Sequence, residues 1–325
     1  MARRPSATTA GGGTRDVVET ACQQNRIFVS GSSMDIGLFG ITTNPVATPP
    51  YLRALARGAE ERGFASLWVA EHVVLFDQYA SRYPYSADGR IPMGGAHGPL
   101  EPFDTLAFYA AVTTKIRLGT GVCLVPQRNP VYTAKQVASV DWMSGGRLDF
   151  GVGIGWLAEE FQAVDVPFER RGDRCREYLE LMKRLWCDDV SSHSGPFYTL
   201  PACRQYPKPA QKPHPPIHFG GESDAALRRV ADVGDGWYPF SIEPDELATK
   251  LARLDGLLAK RGRSRKDIRI TTCPYMRPAD LDLVKRFRDL GVDQVVFLLF
   301  ATSIDELQSG MDMLAKTILE PARRL

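Results

Sequence analysis

Two adjacent residues, Glu71 and His72, directly follow a short apolar run, 66–70, that is typical of a β-strand. Histidine is the side chain whose ordinary pKa lies closest to neutrality, so it can take or donate a proton at physiological pH. A neighbouring carboxylate can orient such an imidazole, or orient a ligand. We therefore predict that His72 is an acid–base catalyst and that Glu71 assists it. The alternative is that His72 only caps a backbone group at the strand end.

Glycine-rich segments end three further predicted strands, at 119–122, 151–156 and 220–223. Glycine has no Cβ, so it lets the backbone approach a flat ligand closely, although simple packing of the strands would also favour it. Trp156 would then stack on that ligand or wall its pocket. Small residues at the start of a helix form an anion site, so 220–223 predict a phosphate there, with a plain turn and N-cap as the alternative.

The segment Arg128-Asn129-Pro130 follows the first of these glycine clusters. Arg128 is suited to holding an anion, and Asn129 to hydrogen bonding with a polar ring edge. Asn129 is also suited to capping a helix whose first residue is Pro130, and both roles can hold together. By contrast, we interpret Glu159 and Glu160 as groups that only satisfy a helix N-terminus.

A long loop, 76–102, is predicted to form a lid or a substrate wall. It is aromatic and carries few charged residues, which favours a hydrophobic substrate over a sugar phosphate. The side chains of interest are Tyr79, Tyr83, Tyr85 and His97. Trp237, which follows Asp235 and Gly236 at the start of the sixth strand-like run, is predicted either to line the same mouth or to pack in the core.

Strand-like and helix-like segments alternate along almost the whole chain, which predicts an α/β fold. The predicted strands are 35–40, 66–70, 117–122, 147–153, 216–220, 236–240, 268–273 and 294–300. The predicted helices are 49–62, 103–113, 131–143, 156–164, 170–186, 224–233, 244–261, 281–290 and 304–319. Eight such units favour a closed (β/α)₈ barrel, in which ligands bind at the carboxyl ends of the strands. A Pro-rich insertion with a small hairpin is predicted at 190–216, before the fifth strand.

The amino-acid composition argues against several classes of partner and site. The 325 residues are 44% hydrophobic and 24% charged with a net charge of +2, so nothing calls for nucleic acid or an anionic membrane as partner. Six scattered cysteines lack metal-ligand spacing, which predicts no metal site and a cytoplasmic location. The Gly-, Thr- and Ser-rich segment 1–33 is predicted to be a disordered extension, so that 34–325 forms the domain and Met34 is an alternative start of translation.

Taken in order, several of these motifs resemble the luciferase-like monooxygenase superfamily, and more narrowly its actinobacterial branch of coenzyme F420-dependent oxidoreductases. The resemblance extends over nearly all of 34–325. Its most specific pieces are 67–72, 118–130, 144–147 with 151–156, 168–172, 185–186 and 216–223 with 234–237. It implies a (β/α)₈ barrel, an insertion between the fourth and fifth units, and a flavin or deazaflavin at the carboxyl mouth of the barrel.

The resemblance also assigns individual residues. A bulge after the third strand, with a non-proline cis peptide between Gly121 and Val122, would support the central ring of the cofactor. Asn129 would contact its pyrimidine edge or side chain, and 220–223 would hold its phosphate. The residues expected to bind the cofactor are Gly121, Val122, Arg128, Asn129, Gly153, Gly155, Trp156, Gly220, Gly221, Glu222 and Ser223.

The implied activity is transfer of a hydride between coenzyme F420 and an unidentified small organic substrate, with His72 exchanging the accompanying proton. An FMN-dependent monooxygenase, supplied by a flavin reductase and consuming oxygen, is the nearest alternative. A barrel that binds cofactor without catalysis is the alternative from another class. Members of the family usually associate, so a homodimer is expected.

Overall fold

The computed structural model describes residues 34–93 and 97–325, and the predicted extension 1–33 lies outside this part. Eleven strands occur within it. They are β1 Asp35–Gly40, β2 Ser66–Val69, β3 Arg117–Thr120, β4 Cys123–Leu124, β5 Leu148–Gly153, β6 Ser191–Ser194, β7 Thr199–Cys203, β8 Ile217–Gly220, β9 Gly236–Tyr238, β10 Arg269–Thr272 and β11 Gln294–Leu299.

The main sheet is a closed parallel barrel. Its strands follow the order β3-β2-β1-β11-β10-β9-β8-β5, and β3 also pairs with β5, which closes the ring. The short β4 pairs with β5 beyond the point where β3 ends. All eight predicted barrel strands are present and every pairing among them is parallel, so the prediction of a (β/α)₈ barrel is confirmed.

Helices follow the barrel strands and surround them. The helices are Pro49–Arg62, Pro102–Val112, Pro130–Met143, Ala158–Ala163, Arg171–Cys187, Asp224–Val233, Pro244–Ala259, Leu281–Asp289 and Ile304–Leu314. The helix predicted at 304–319 is α-helical only to Leu314 and continues as a π-helical turn, Ala315–Leu319, and a short turn, Glu320–Ala322. Within the described residues, no helix is both long enough and apolar enough to cross a bilayer.

The predicted hairpin in the insertion before the fifth barrel unit is confirmed, because β6 and β7 form a separate antiparallel pair. The larger apolar core lies between the barrel wall and the helices. A smaller cluster fills the inside of the barrel, where the Trp68 and Tyr238 rings stack with centroids 4.6 Å apart and Phe39 packs beside them. Gly119 makes room for this cluster, since a Cβ there would lie 2.5 Å from the Trp68 ring. The interior is therefore solid, and a ligand must sit at the mouth above this aromatic floor.

Candidate active site

The first structural feature of the mouth is a bulge between β3 and β4, at Gly121 and Val122. The peptide bond between these two residues is cis, as the resemblance implies. The Gly121 N–H donates a hydrogen bond of 2.7 Å to the Val69 carbonyl. A Cβ on Gly121 would lie 2.9 Å from the Phe39 ring, so the backbone rests directly on the aromatic floor. Only glycine allows this close approach.

Two neighbouring glycines accommodate the bulge. A Cβ on Gly153 would lie 2.4 Å from Val122 Cγ2, and one on Gly220 would lie 3.1 Å from Val122 Cγ1. The sequence predicts that Gly153 and Gly220 admit a cofactor, whereas in the structure the side chain of Val122 fills the space they leave. Their contribution to the site is therefore indirect, because they set the depth at which Val122 lies.

Glu71 anchors the bulge from beneath. Its buried carboxylate accepts a hydrogen bond of 2.5 Å from the Leu124 N–H and another of 2.5 Å from Arg128 Nε. Arg128 also pairs with Glu101 and lies over the Phe103 ring. The sequence predicts that Glu71 assists catalysis and that Arg128 holds a ligand anion. The structure instead joins the two as an internal ion pair, so the positive charge of Arg128 is matched within the chain.

His72 contacts a different carboxylate from the one the sequence predicts. Its Nδ1 lies 3.2 Å from Oε2 of Glu160, and its side chain is 9% exposed. The Trp156 ring packs edge-to-face on the imidazole, with centroids 6.0 Å apart. A carboxylate oxygen accepts hydrogen bonds, so Nδ1 carries the hydrogen and Nε2 is the ring atom left to exchange a proton with a ligand.

Glu160 is fully buried and organises the start of the long loop. Its Oε1 accepts a hydrogen bond of 2.6 Å from the Val73 N–H, and its Oε2 accepts one of 3.2 Å from Gln127 Nε2. The adjacent Glu159 accepts a bond of 2.6 Å from the Ala80 N–H. The prediction that these two glutamates only satisfy their own helix N-terminus is therefore wrong. Both reach across to the 73–81 segment and accept hydrogen bonds from its backbone N–H groups.

Asn129 caps the helix Pro130–Met143, as one of its two predicted roles requires. Its Oδ1 accepts hydrogen bonds from the N–H groups of Val131 and Tyr132, at 3.0 and 3.2 Å. Its Nδ2 lies 3.3 Å from the Tyr198 hydroxyl, which belongs to the insertion. The expected contact with a cofactor stays a prediction.

The segment after β8 is shaped by a turn and a cap. Ser223 caps the helix Asp224–Val233 through a 3.2 Å bond from the Ala226 N–H. Gly221 has a φ of 93°, a region that favours glycine, and its carbonyl accepts a hydrogen bond from the Trp237 indole. Trp237 is fully buried, so of its two predicted positions the core is the one observed.

Glu222 connects this segment to the long loop. Its carboxyl accepts a bond of 2.8 Å from the Phe240 N–H and one of 3.2 Å from the Tyr85 hydroxyl. Burial raises the pKa of Glu222. The side chain therefore ties the loop to the barrel, and the expected phosphate contact at 220–223 stays a prediction.

Sequence reasoning missed two neighbouring arginines, of which Arg229 is buried and Arg171 is half-buried. Arg229 is 8% exposed, and its Nε has no hydrogen-bond partner among the residues the structure describes. Arg171 donates from Nε to the Gly155 carbonyl at 3.0 Å. Burial lowers the pKa of both guanidinium groups, and in each case the charge of neighbouring arginines, including Arg229 beside Arg171, lowers it further. A buried guanidinium whose Nε has no hydrogen-bond partner among the described residues, here on the helix Asp224–Val233 that follows β8, is suited to an anion.

Aromatic rings from the long loop complete one side of the mouth. Trp156 contacts Tyr79 and Tyr83 with centroids 5.7 and 5.2 Å apart, and Tyr85 contacts Phe240 at 4.9 Å. Burial raises the pKa of Tyr83 and Tyr85, so their hydroxyls remain uncharged at physiological pH. The long loop thus places aromatic rings beside His72, to which Trp156 joins them, while its role as a lid or substrate wall stays a prediction.

The chain is similar in sequence to proteins of a known family. Residues 31–290 match the family model described as luciferase-like monooxygenase. An uncharacterized protein of Mycobacterium tuberculosis is 32% identical over 289 residues, which cover 87% of this chain and 98% of that protein. An FMNH(2)-dependent dimethylsulfone monooxygenase of Pseudomonas putida is 31% identical over 191 residues, which cover 58% of this chain and 47% of that protein.

Among solved structures, an F420-dependent secondary alcohol dehydrogenase in complex with an F420-acetone adduct superposes with a TM-score of 0.67. The alignment covers 90% of this chain and 100% of that one, at 18% sequence identity. At this identity the likeness shows a shared fold. These comparisons therefore bring together relatives that use a flavin and relatives that use a deazaflavin.

Proposed function

Because the chain belongs to the luciferase-like monooxygenase family, we propose that it is an oxidoreductase that binds coenzyme F420 at the mouth of the barrel. The reaction is transfer of a hydride between this deazaflavin and a small organic substrate. The observation that carries the proposal is the pairing of His72 with a buried carboxylate beside the glycine-backed bulge. A hydride transfer that makes or consumes a hydroxyl group also moves one proton, and His72 supplies a group for it.

The residues present fit such a cofactor. The surface formed by Gly121 and Val122 lies on an aromatic floor and offers a flat ring a rigid support. The buried guanidinium of Arg229, whose Nε has no hydrogen-bond partner among the described residues, is suited to a phosphate, with the half-buried Arg171 beside it. The start of the helix capped by Ser223 adds N–H donors. When bound, the deazaflavin supplies a ring carbon that accepts or releases a hydride.

The chain itself contributes a proton carrier and the exclusion of water. Nε2 of His72 takes the proton from a substrate hydroxyl, or returns it, while Glu160 holds Nδ1 and stabilises the charged imidazole. The wall of Trp156, Tyr79 and Tyr83 shields this position from solvent. Glu71 acts at a distance, because it holds the bulge through Leu124.

Titration of the purified protein with coenzyme F420 and, separately, with FMN tests the cofactor. Quenching of ligand fluorescence measures each dissociation constant. We expect F420 to bind at least tenfold more tightly than FMN, and a panel of alcohols and carbonyl compounds to change the absorbance of bound F420 without oxygen. Tight FMN binding with no measurable F420 binding would contradict the proposal.

The second candidate is an FMN-dependent monooxygenase, which the similarity to the dimethylsulfone enzyme favours. The same bulge and the same arginine pair would serve FMN. Such an enzyme consumes oxygen when reduced FMN is supplied, so oxygen uptake with a flavin reductase present separates the two candidates. The F420 proposal predicts no substrate-dependent oxygen uptake.

A further inference from the structure

We propose that His97 is a second catalytic histidine, and that His72 and His97 together bind the oxygen of an uncharged alcohol or carbonyl substrate. This inference rests on the proposed role of His72. It goes further by naming a second group and the class of substrate.

A cavity of about 200 Å³ lies beside His72. Its lining consists of His72, Val73, Val74, Leu75, His97, Gly98 and Pro99. One imidazole comes from the end of β2 and the other from the far end of the long loop. The remaining described lining is backbone and apolar side chain, without a lysine, arginine or carboxylate. The cavity is open, and the surface it exposes is mainly polar, so a ligand held here meets hydrogen-bonding groups and no fixed charge among the described lining residues, which favours an uncharged molecule.

His97 is positioned by the segment after β1. Its Nδ1 lies 2.9 Å from the Asn44 carbonyl oxygen, and the Gly98 N–H donates to Asn44 Oδ1 at 2.8 Å. Thr43 and Pro99 form an isolated antiparallel bridge next to these bonds. The imidazole is therefore held from the barrel side rather than by the long loop alone.

In both histidines, Nδ1 is the ring nitrogen that is hydrogen-bonded within the protein. Nδ1 of His72 faces a carboxylate and Nδ1 of His97 faces a carbonyl, and both of these groups accept hydrogen bonds. Nδ1 therefore carries the hydrogen in each ring, and Nε2 is the atom left to meet a ligand. Two acceptors around one small cavity need a ligand that can donate, and a hydroxyl group does so.

The same pair also suits the carbonyl product. When an alcohol is oxidised, the C–H bond gives its hydride to the cofactor of the proposed function and the O–H bond gives its proton to one Nε2. The new carbonyl oxygen then accepts a hydrogen bond from that protonated ring. In the reverse direction the ring returns the proton. The proton that the substrate loses is therefore held by one of the two imidazoles.

Imidazole NMR of the cofactor-free protein tests this without turnover. The chain has five histidines, and the buried His193, His214 and His218 serve as internal references. Cyclohexanol is the uncharged probe and cyclohexanecarboxylate the charged control. We expect the ring signals of His72 and His97 to shift together along one cyclohexanol binding curve while the reference signals stay unchanged. The carboxylate should bind at least tenfold more weakly.

Two variants sharpen the result. His97→Gln removes the second ring, and Gly98→Leu fills the cavity, because a Cβ at Gly98 meets open space. Each should weaken cyclohexanol binding at least tenfold, whereas Gly256→Leu, also facing open space on a distant helix, should not. Shifts at His72 alone, or equal binding of the carboxylate, would overturn the inference. Binding as expected without F420 turnover on any alcohol would leave the pocket standing and remove the proposed function.

Discussion

Replacing Glu160 with glutamine tests the link between the buried carboxylate and His72. The substitution keeps the size of the side chain. One amide oxygen can still accept the 2.6 Å hydrogen bond from the Val73 N–H. The amide nitrogen then faces His72 Nδ1, and because this nitrogen only donates, it favours the tautomer in which Nε2 carries the hydrogen. Nε2 would then no longer be able to accept a proton.

The size of the effect follows from the bond that is lost. A hydrogen bond to a charged group contributes roughly 1.5–3 kcal/mol. At about 1.4 kcal/mol for each factor of ten, this corresponds to a change of about 10- to 150-fold in the tautomer ratio. We expect the rate of hydride transfer to fall by a similar factor, with the affinity for cofactor changed by less than about threefold, since Glu160 lies behind His72 and not in the bulge.

Two measurements check this expectation. Long-range proton–nitrogen NMR correlations report which ring nitrogen of His72 carries hydrogen, and stopped-flow absorbance of bound F420 reports hydride transfer with a substrate found by the alcohol and carbonyl panel. The matched control is Glu159→Gln, which changes the neighbouring carboxylate that contacts Ala80 instead of the imidazole. In a His72→Gln background, Glu160→Gln should have little further effect on the rate.

The reasoning is refuted if Glu160→Gln and Glu159→Gln have the same transfer rate, or if the hydrogen already resides on Nε2 in the wild-type protein. If the effects of Glu160→Gln and His72→Gln on the transfer rate multiply fully in the double variant, Glu160 and His72 act independently, which would also refute the reasoning.

Three further predictions follow from the described contacts. Gly153→Ala places a Cβ 2.4 Å from Val122 Cγ2, so it should lower the free energy of urea unfolding by about 1–3 kcal/mol and weaken cofactor binding. Adding Val122→Ala should restore part of both losses, and unchanged cofactor binding in Gly153→Ala would contradict this prediction. Arg229→Met removes a buried Nε that has no partner among the described residues, so it should raise the melting temperature of the cofactor-free protein. It should also weaken the binding of FMN but not that of riboflavin, which lacks the phosphate. An equal loss of affinity for both ligands would exclude the phosphate site. Burial raises the pKa of Glu222, so the folded state binds this proton more tightly than the unfolded state, and the resulting stability is lost as the pH rises above the ordinary value of 4.5. The unfolding free energy of Glu222→Gln should therefore increase relative to that of the wild type between pH 4.5 and about 7. A difference in unfolding free energy that does not change with pH would contradict this prediction.

Elements with strong local signals were predictable from the sequence. The strand Asp35–Gly40 and the helices Pro49–Arg62 and Asp224–Val233 have the predicted bounds. The two helices have side-chain caps at Thr48 and Ser223, and Gly63 ends the first of them with a φ of 81°. Such signals act over a few residues, so a single sequence reveals them.

The contacts that shape the site act over long separations, and the sequence did not reveal them. Glu160 and His72 are 88 residues apart, and nothing local distinguishes Glu160 from a residue that satisfies its helix N-terminus. The glycines at 153 and 220 were recognisable as special, but which group fills their space depends on how β3, β5 and β8 pack. Arg229 looks like any polar residue on an amphipathic helix until the partner missing from its Nε is seen.

A crystal structure of the protein with coenzyme F420 tests the central claim most directly. The account predicts that the deazaflavin ring lies against the bulge of Gly121 and Val122, that its phosphate contacts Arg229, and that Nε2 of His72 faces the side of the ring open to substrate. A ring bound elsewhere, or an imidazole turned away from it with Glu160 released, would contradict the account.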